Sequence, residues 1–488
     1  MTEQEKERIK SPATVSYAYE VMKPRWDKME AVVGGTEAMR AAGELYLPRH
    51  AEELPARYEE RLECATLLNL TELTLESLVG RPFSDPVQLS EDMPEQIKEI
   101  MQDVDLQGNN IDVYGRRWFR EGLKKAFAHT LVEFPEKKPK EDGSPRTLED
   151  DRKENLRPYW VFIKPENLIF AYPEIIQGRE VITHARFYEE VTTMEGFAEV
   201  ITKQIRVFEP GKQTVYQEVE DEKNKNKRVW KEINTLEVDL PFVPLVTFYA
   251  AKEGPMLAKP PLLDLADLNI AHFQSGSDQR AVLTVARFPM LAMSGASAQD
   301  AKLQIGPYKW LWCDDPNGKF YYVEHTGKAI KAGKEDLDDL VAQMSHYGAE
   351  FLKKQPGRQT ATARALDSAE ATSPLQDMTL RFMDAVDHAL WITAQWLKLK
   401  EGGKVKISTD FGPEKSDQND LLGLQFARKV RDISRKAFLE EYKRRGILSD
   451  EYNLEEDQTQ IENEMTLGIS RVDLDETPTD TSSPGGSA

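Results

Sequence analysis

The 488-residue sequence predicts an α+β fold, with helical and antiparallel β segments grouped along the chain. Before about residue 132 and again after 262, apolar residues recur at spacings of three and four. Between 159 and 249 they alternate with polar residues instead. Pro or Gly stands at most changes of period.

An amphipathic segment over Val15 to Met29 gives the first helix. Leu54 to Val79 gives a longer one, with Tyr58, Leu62, Ala65, Leu68 and Leu75 on one stripe and Gly80 at its end. Pro94 to Val104 is a third. After the Gly108-Asn109-Asn110 turn, a fourth runs from Val113 to Val132 with Tyr114, Trp118, Phe119 and Phe127, closed by Pro135. Glu136 to Arg157 holds little to bury and reads as a surface loop.

Alternation then marks strands at Tyr159 to Ile163, Leu168 to Tyr172, His184 to Glu190, Lys203 to Glu209, Thr214 to Val219 and Val229 to Leu236. Pro210-Gly211 and Asp221 to Lys227 supply hairpin turns, so one antiparallel sheet is expected, with Val243 to Tyr249 as its last strand.

Past Pro260-Pro261, Leu262 to Phe288 reads as a helix opened by proline. Its Asn269, Gln274, Ser275, Ser277 and Gln279 leave a face too polar for a monomer core, suited to a neighbour or a channel. Short strands follow at Met290 to Met293, Lys309 to Cys313 and Lys319 to Val323. Glu335 to Leu352 is the next helix, Lys353 to Thr372 a loop or weak helix, and Leu375 to Leu399 a long apolar-faced helix. Beyond Pro413, Leu421 to Arg445 and a segment near Asp457 to Met465 are helical. Thr477 to Ala488 has nothing to pack.

A net charge of −20 excludes a protein that coats nucleic acid with its whole surface, which would need net positive charge. Half of that excess lies between Asp450 and Ala488. No apolar run reaches the roughly twenty residues that span a bilayer, so no membrane partner is expected. The charged N-terminus lacks the apolar core of a secretion signal, which points to the cytoplasm. Cys64 and Cys313 stand far apart with no metal-ligand spacing and read as buried thiols.

The order of these elements resembles the tailed-bacteriophage portal, or head-to-tail connector, family. Similar stretches are Ala42-Gly43-Glu44-Leu45-Tyr46-Leu47-Pro48, Leu78-Val79-Gly80-Arg81-Pro82-Phe83, Arg157-Pro158-Tyr159-Trp160 and Thr360-Ala361-Thr362-Ala363-Arg364. The resemblance covers nearly the whole chain. It implies a wing over 1–258, a downward stem helix over 259–288 and a clip over 289–332. An upward stem helix over 333–354, a tunnel loop over 355–373 and a wing return helix over 374–412 follow. A crown over 413–465 and an acidic tail over 466–488 complete it. It further implies a homo-oligomeric ring, of twelve subunits in that family, at a capsid vertex of the virion, assembled in the host cytoplasm. The ring would conduct double-stranded DNA and bind terminase, the major capsid protein and head-completion or adaptor proteins.

Phe351 to Leu366 contains no Asp or Glu but carries Lys353, Lys354, Arg358 and Arg364. A ring repeats each cation in every subunit and so makes a belt opposite DNA phosphates. Gly357, Thr360 and Thr362 suit close contact that reads no bases. Taken alone, such a run is more often a solvated basic surface; its place at the tunnel loop reverses that and favours DNA. Tyr308, Trp310, Trp312, Tyr321 and Tyr322 crowd the clip, as partner anchors or as local core. Glu335, Asp336, Asp338 and Asp339 either line a channel or, the favoured reading, complement a helix N-terminus. His325 and His346 are isolated, so no metal site is expected. No phosphate-binding GxxxxGK[ST] loop or G-x-S-x-G elbow is present, and neither catalysis nor a cofactor is expected. A non-channel minor capsid or scaffolding protein is the alternative.

Overall fold

Side-chain caps start three of the six α-helices described before residue 126. Helix α1 (Tyr17–Val33) begins at Ser16, whose hydroxyl accepts the Tyr19 N–H. The computed structural model describes residues 11–135, 154–176, 178–221, 224–287, 290–294, 317–323, 327–351, 373–409, 411, 418–430, 432–444, 448, 452–453 and 456–461. It divides into two units, Met1–Phe411 and Gly412–Ala488.

In the first unit, α2 (Gly35–Ala42) follows α1 directly. The helix expected over 54–79 is two helices, α3 (Pro55–Cys64) and α4 (Leu70–Gly80). No Gly or Pro breaks it; tertiary hydrogen bonds do. Arg40 Nε donates to the Ala65 carbonyl at 3.0 Å, and the Leu67 N–H donates to Thr36 Oγ1 at 3.1 Å. Asn69 caps α4 through the Glu72 N–H while donating to the Val32 carbonyl. Cys64, expected to be buried, is exposed at the end of α3; Cys313 lies outside the described residues.

A short strand β1 (Gln88–Leu89) and helix α5 (Glu95–Ile100) lead to α6 (Ile111–Lys125). The sequence reads as helix to Val132, but α6 ends at Ala126, in the left-handed region at φ 78°. Strand β2 (Phe127–Glu133) follows. Every residue of β2 from Phe127 to Val132 is buried, because it is the central strand of a three-stranded sheet and is covered on both faces. Burial on both faces erases the alternation that marks a strand. Its neighbours are β3 (Tyr159–Ile163) and, later, β9 (Leu245–Tyr249).

Five strands in sequential order, β4 (Leu168–Ile176), β5 (Arg179–Glu195), β6 (Ala198–Glu209), β7 (Lys212–Asp221) and β8 (Asn224–Glu237), form a separate antiparallel sheet. The single sheet expected is therefore two, and β9 belongs to the other. The Pro210-Gly211 turn is as expected, with Gly211 at φ 76°. Of the other expected turn, Asp221 to Lys227, Asp221 ends β7 and residues from Asn224 on belong to β8, while 222–223 lie outside the described residues. Leu131, Phe187, Phe208 and Leu245 form a core to which both sheets contribute.

A small hairpin of β10 (Lys252–Gly254) and β11 (Leu257–Ala258) precedes α7 (Leu263–Arg287). Then come β12 (Met290–Ser294), β13 (Lys319–Val323), α8 (Lys328–Glu350), α9 (Pro374–Trp396) and β14 (Val405–Lys406), which pairs with β1. Helices α6 and α9 pack on the three-stranded sheet around Phe382, whose ring lies 5.3 Å from Trp118, 5.2 Å from Phe119 and 5.0 Å from Phe248. Trp160 Nε1 donates to Thr393 Oγ1 at 2.9 Å, joining residues 233 apart in sequence.

Gly122 lets α6 lie on β9: a Cβ there would sit 2.4 Å from the Phe248 ring. Gly122→Ala is expected to cost about 1–3 kcal/mol through overpacking, read as a lower denaturation midpoint.

Lys125 is fully buried beneath α1. Its Nζ lies 2.5 Å from Glu30 and 2.7 Å from Glu121 and also contacts Glu166; Lys124 adds a 2.7 Å contact to Glu30. Burial pushes Lys125 down, but the carboxylates of Glu121 and Glu166 outweigh it and hold the ammonium above the ordinary lysine range. Burial pushes the Glu30 carboxyl up, yet hydrogen bonds from Lys124 and Lys125 bring it to about 2, from an ordinary 4.5. Hydrogen bonding to Arg61 likewise brings Glu53 to about 2. Both carboxylates have depressed values in the folded chain, so their contribution is whole above pH 4.5 and is lost as pH falls toward 2. Denaturation midpoints at pH 7, 4 and 3 are expected to decline, most steeply below 4.5.

In the second unit, the helix expected over Leu421 to Arg445 is two: α10 (Gln418–Lys429) and α11 (Arg435–Arg444). Ser434 caps α11 through the Ala437 N–H, and Arg428 donates to the Ile433 carbonyl across the break. Phe438 and Tyr442 pack at 4.3 Å, and Arg435 pairs with Asp457 at 2.8 Å in the helical turn 456–461. Among the described residues no helix is long and apolar enough to cross a membrane.

Candidate functional site: the paired helices α7 and α8

Helix α7 starts after Pro260-Pro261 and buries Leu265, Ala266, Phe273 and, more lightly, Ile270 in the first unit. Its polar residues do not form the spare face that the sequence suggests. Asn269 is fully buried: its Oδ1 accepts the Thr71 N–H at 3.1 Å and the Thr71 hydroxyl at 3.0 Å, and its Nδ2 donates to the Leu68 carbonyl at 2.8 Å. Gln274 donates to the Tyr46 carbonyl, Gln279 to the Ile330 carbonyl, and Ser277 is 3 % exposed. Most of the polarity serves contacts within the chain. Sequence offered no signal for Asn269, because an amide inside a helix reads the same whether it is solvated or clamped.

Helix α8 returns antiparallel to α7. Gly333 permits the approach, since a Cβ there would lie 2.2 Å from Gln279 Oε1. Gly348 lies against Thr74 of α4, which would be 3.2 Å from an added Cβ. Met344 is buried, and the Tyr347 hydroxyl donates to the Pro261 carbonyl at 3.2 Å. The rest of α8 is largely open. Ser275 donates to Asp336 at 2.6 Å, and His272 beside it is lowered by burial against the opposing pull of Asp336.

Helix α8 starts at Lys328, seven residues before the expected start. Glu335, Asp336, Asp338 and Asp339 therefore sit in its second and third turns and cannot complement its N-terminus, whose effect fades within the first turn. The favoured sequence reading of that cluster is corrected. All four are exposed.

At the far end of the pair, β12 and β13 form an antiparallel hairpin with Ala292 opposite Tyr321 and Leu291 opposite Tyr322. Tyr321 is half exposed, at 52 %. Tyr308, Trp310, Trp312 and His325 lie outside the described residues. So do Lys353, Lys354, Arg358, Thr360, Thr362 and Arg364. The residues flanking that basic tract are described, and they meet: the Leu375 N–H donates to the Phe351 carbonyl at 3.4 Å. His346 is exposed, 3.7 Å from Glu350.

Among the described residues one carboxylate group, Glu30, Glu121 and Glu166, has the spacing to hold a cation. The Lys125 ammonium makes ion pairs with all three, so the cluster is its own counterion.

Residues 261–397 match a family model described as a domain of unknown function, DUF4055. The match spans the helix pair, its hairpin and α9. No curated protein matches the sequence. The chain is similar to chains in three solved structures. One, the virion of a native gene transfer agent particle, is 10% identical, covers 82% of this chain and 90% of that one, and has a TM-score of 0.37. The neck of the empty particle, computed with C6 symmetry, is 10% identical, covers 78% and 90%, and scores 0.38. The neck of the native particle, computed with C12 symmetry, is 9% identical, covers 76% and 88%, and scores 0.38.

Proposed function

We propose that this chain is the subunit of a portal: a ring at one vertex of a phage-like capsid through which double-stranded DNA passes during packaging and ejection. The observation that carries this reading is the path of the chain from 263 to 396. One long helix leaves an α+β body, a hairpin turns it, an antiparallel helix returns, and α9 re-enters the same core. The segment that joins the last two helices carries an acid-free basic tract over 351–366, and Phe351 and Leu375 at its two ends are hydrogen-bonded to each other, which suits a loop displayed from a fixed base.

In this reading Lys353, Lys354, Arg358 and Arg364 meet DNA phosphates, with Thr360 and Thr362 beside them. The hairpin of β12 and β13 docks terminase and head-completion proteins, and the outer α+β surface meets the major capsid protein. The role is structural, and incubation with DNA and a divalent metal is expected to leave the DNA uncut.

Light scattering and negative-stain images of the purified full chain test the ring; a monomer or dimer at all salt concentrations overturns it. Lys353→Ala with Lys354→Ala is expected to leave the ring intact and to lower packaged DNA about tenfold, because a phosphate belt loses two cations per subunit. Normal packaging by that variant removes the loop from the mechanism.

A further inference from the structure

We infer that the ring is held partly by a charge-matched contact between paired helices of adjacent copies, in which α7 of one copy, through Arg280, lies against the outer face of α8 of the next, through Glu335, Asp338 and Asp339. The inference rests on the ring reading and names the surface that closes it.

On α7, the face that carries the buried Phe273 and Ser277 continues toward the C-terminal end of the helix, where Arg280 and Arg287 are both exposed among the described residues. Among the described residues neither has an ion-pair partner. On α8, Gly333, Leu337, Met344 and Gly348 face α7 and α4, so Glu335, Asp338 and Asp339 project from the opposite side. Glu335 has a 3.6 Å contact with exposed Lys331; Asp338 and Asp339 have no ion-pair partner among the described residues.

Spacing leaves like charges crowded in an isolated copy, offset only in part by Lys331 and Lys334, four residues before Glu335 and Asp338. Glu335 with Asp338, Glu335 with Asp339, and Asp336 with Asp339 are like charges three or four residues apart on one helix, where they repel. A cation supplied from outside relieves that repulsion. Within one copy the acidic face of α8 lies on the side away from α7 while Arg280 sits on a flank of α7, and no ion pair joins them among the described residues.

Between copies they can. Gln279 packs on Gly333 and Gly276 on Leu337, which places Arg280 within about 4 Å of Glu335 along the axis, at roughly 1.5 Å of rise per residue. An arginine side chain spans that offset and reaches Asp338 one turn further on. Each copy offers one basic face and one acidic face, so the contact runs head to tail and closes when the rotation does.

Charge reversal tests this on the full chain, with assembly followed by light scattering against protein concentration. Arg280→Glu alone, and Asp338→Lys with Asp339→Lys, are each expected to raise the concentration needed for rings about tenfold or more, as like charges meet across the interface. Combining all three substitutions restores the opposite-sign pairing and is expected to recover most of the loss. If the wild-type chain forms rings and Arg280→Glu forms them equally well, or the combined variant assembles no better than the two parents, the contact is overturned while the ring reading stands. If the wild-type chain forms no ring, both fall. A melting curve for each variant separates lost assembly from lost folding, and rescue by the combined variant cannot arise from misfolding.

Discussion

Lys125→Ala is expected to destabilise the first unit by about 3–5 kcal/mol, the range found when one partner of a buried ion pair is removed. The ammonium is fully buried and pairs with Glu30, Glu121 and Glu166. Without it, three carboxylates crowd within 4.8 Å of one another with only Lys124 to balance them. Protonation is their remaining escape, so the variant's loss should be greatest near neutral pH and shrink as the solution is acidified toward 4. Urea denaturation of both proteins at pH 7 and pH 4 reads this. A variant that melts like the wild type at pH 7 would show that water enters the site and solvates the carboxylates.

The second large effect is expected at Asn269. Asn269→Leu nearly preserves volume but leaves the Thr71 N–H and the Thr71 hydroxyl without their partner, while the Leu68 carbonyl keeps only the Leu70 N–H. Each unpaired buried polar group costs about 1–3 kcal/mol, so a loss of roughly 2 kcal/mol or more is expected. The same bonds tie α7 to α4, and their loss should loosen the upper end of the helix pair. Hydrogen exchange of the Thr71 amide reports this directly: protection should fall there before it falls at Phe248 in the core.

Much of the architecture was legible where one face of an element is solvated. Strands β5 and β6 show period two where Ala185, Phe187, Ile205 and Val207 are buried and His184, Arg186, Tyr188 and Arg206 between them are partly exposed, and α9 shows its stripe from Leu375 to Ile392 for the corresponding reason. Legibility failed where burial was complete or where distant residues decided the backbone. In β2, Phe127-Ala128-His129-Thr130-Leu131-Val132 is buried on both faces, so it carries neither period and was read as the end of a helix. The break after Cys64 depends on Arg40 and Thr36, which nothing within a local window can reveal. The four carboxylates of α8 look in sequence like the start of a helix, whereas Gly327 at φ 73° and Lys328 mark the actual start. Of the proposed loop, the sequence exposes the composition and the structure exposes the joined flanks.

The bond from Trp160 to Thr393, together with Phe382 at the centre of the aromatic core, has a consequence for biosynthesis. Helix α6, strands β2, β3 and β9, and helix α9 complete one hydrophobic centre, yet α9 is the last of them by more than a hundred residues. The nascent chain must therefore hold Trp118, Phe119 and Phe248 unsheltered until residue 396 has cleared the ribosome, an interval in which exposed apolar surface invites aggregation. In the proposed ring the same closure would order assembly: a subunit would become competent to associate only after its long helix pair has been made, so finished copies would meet finished copies.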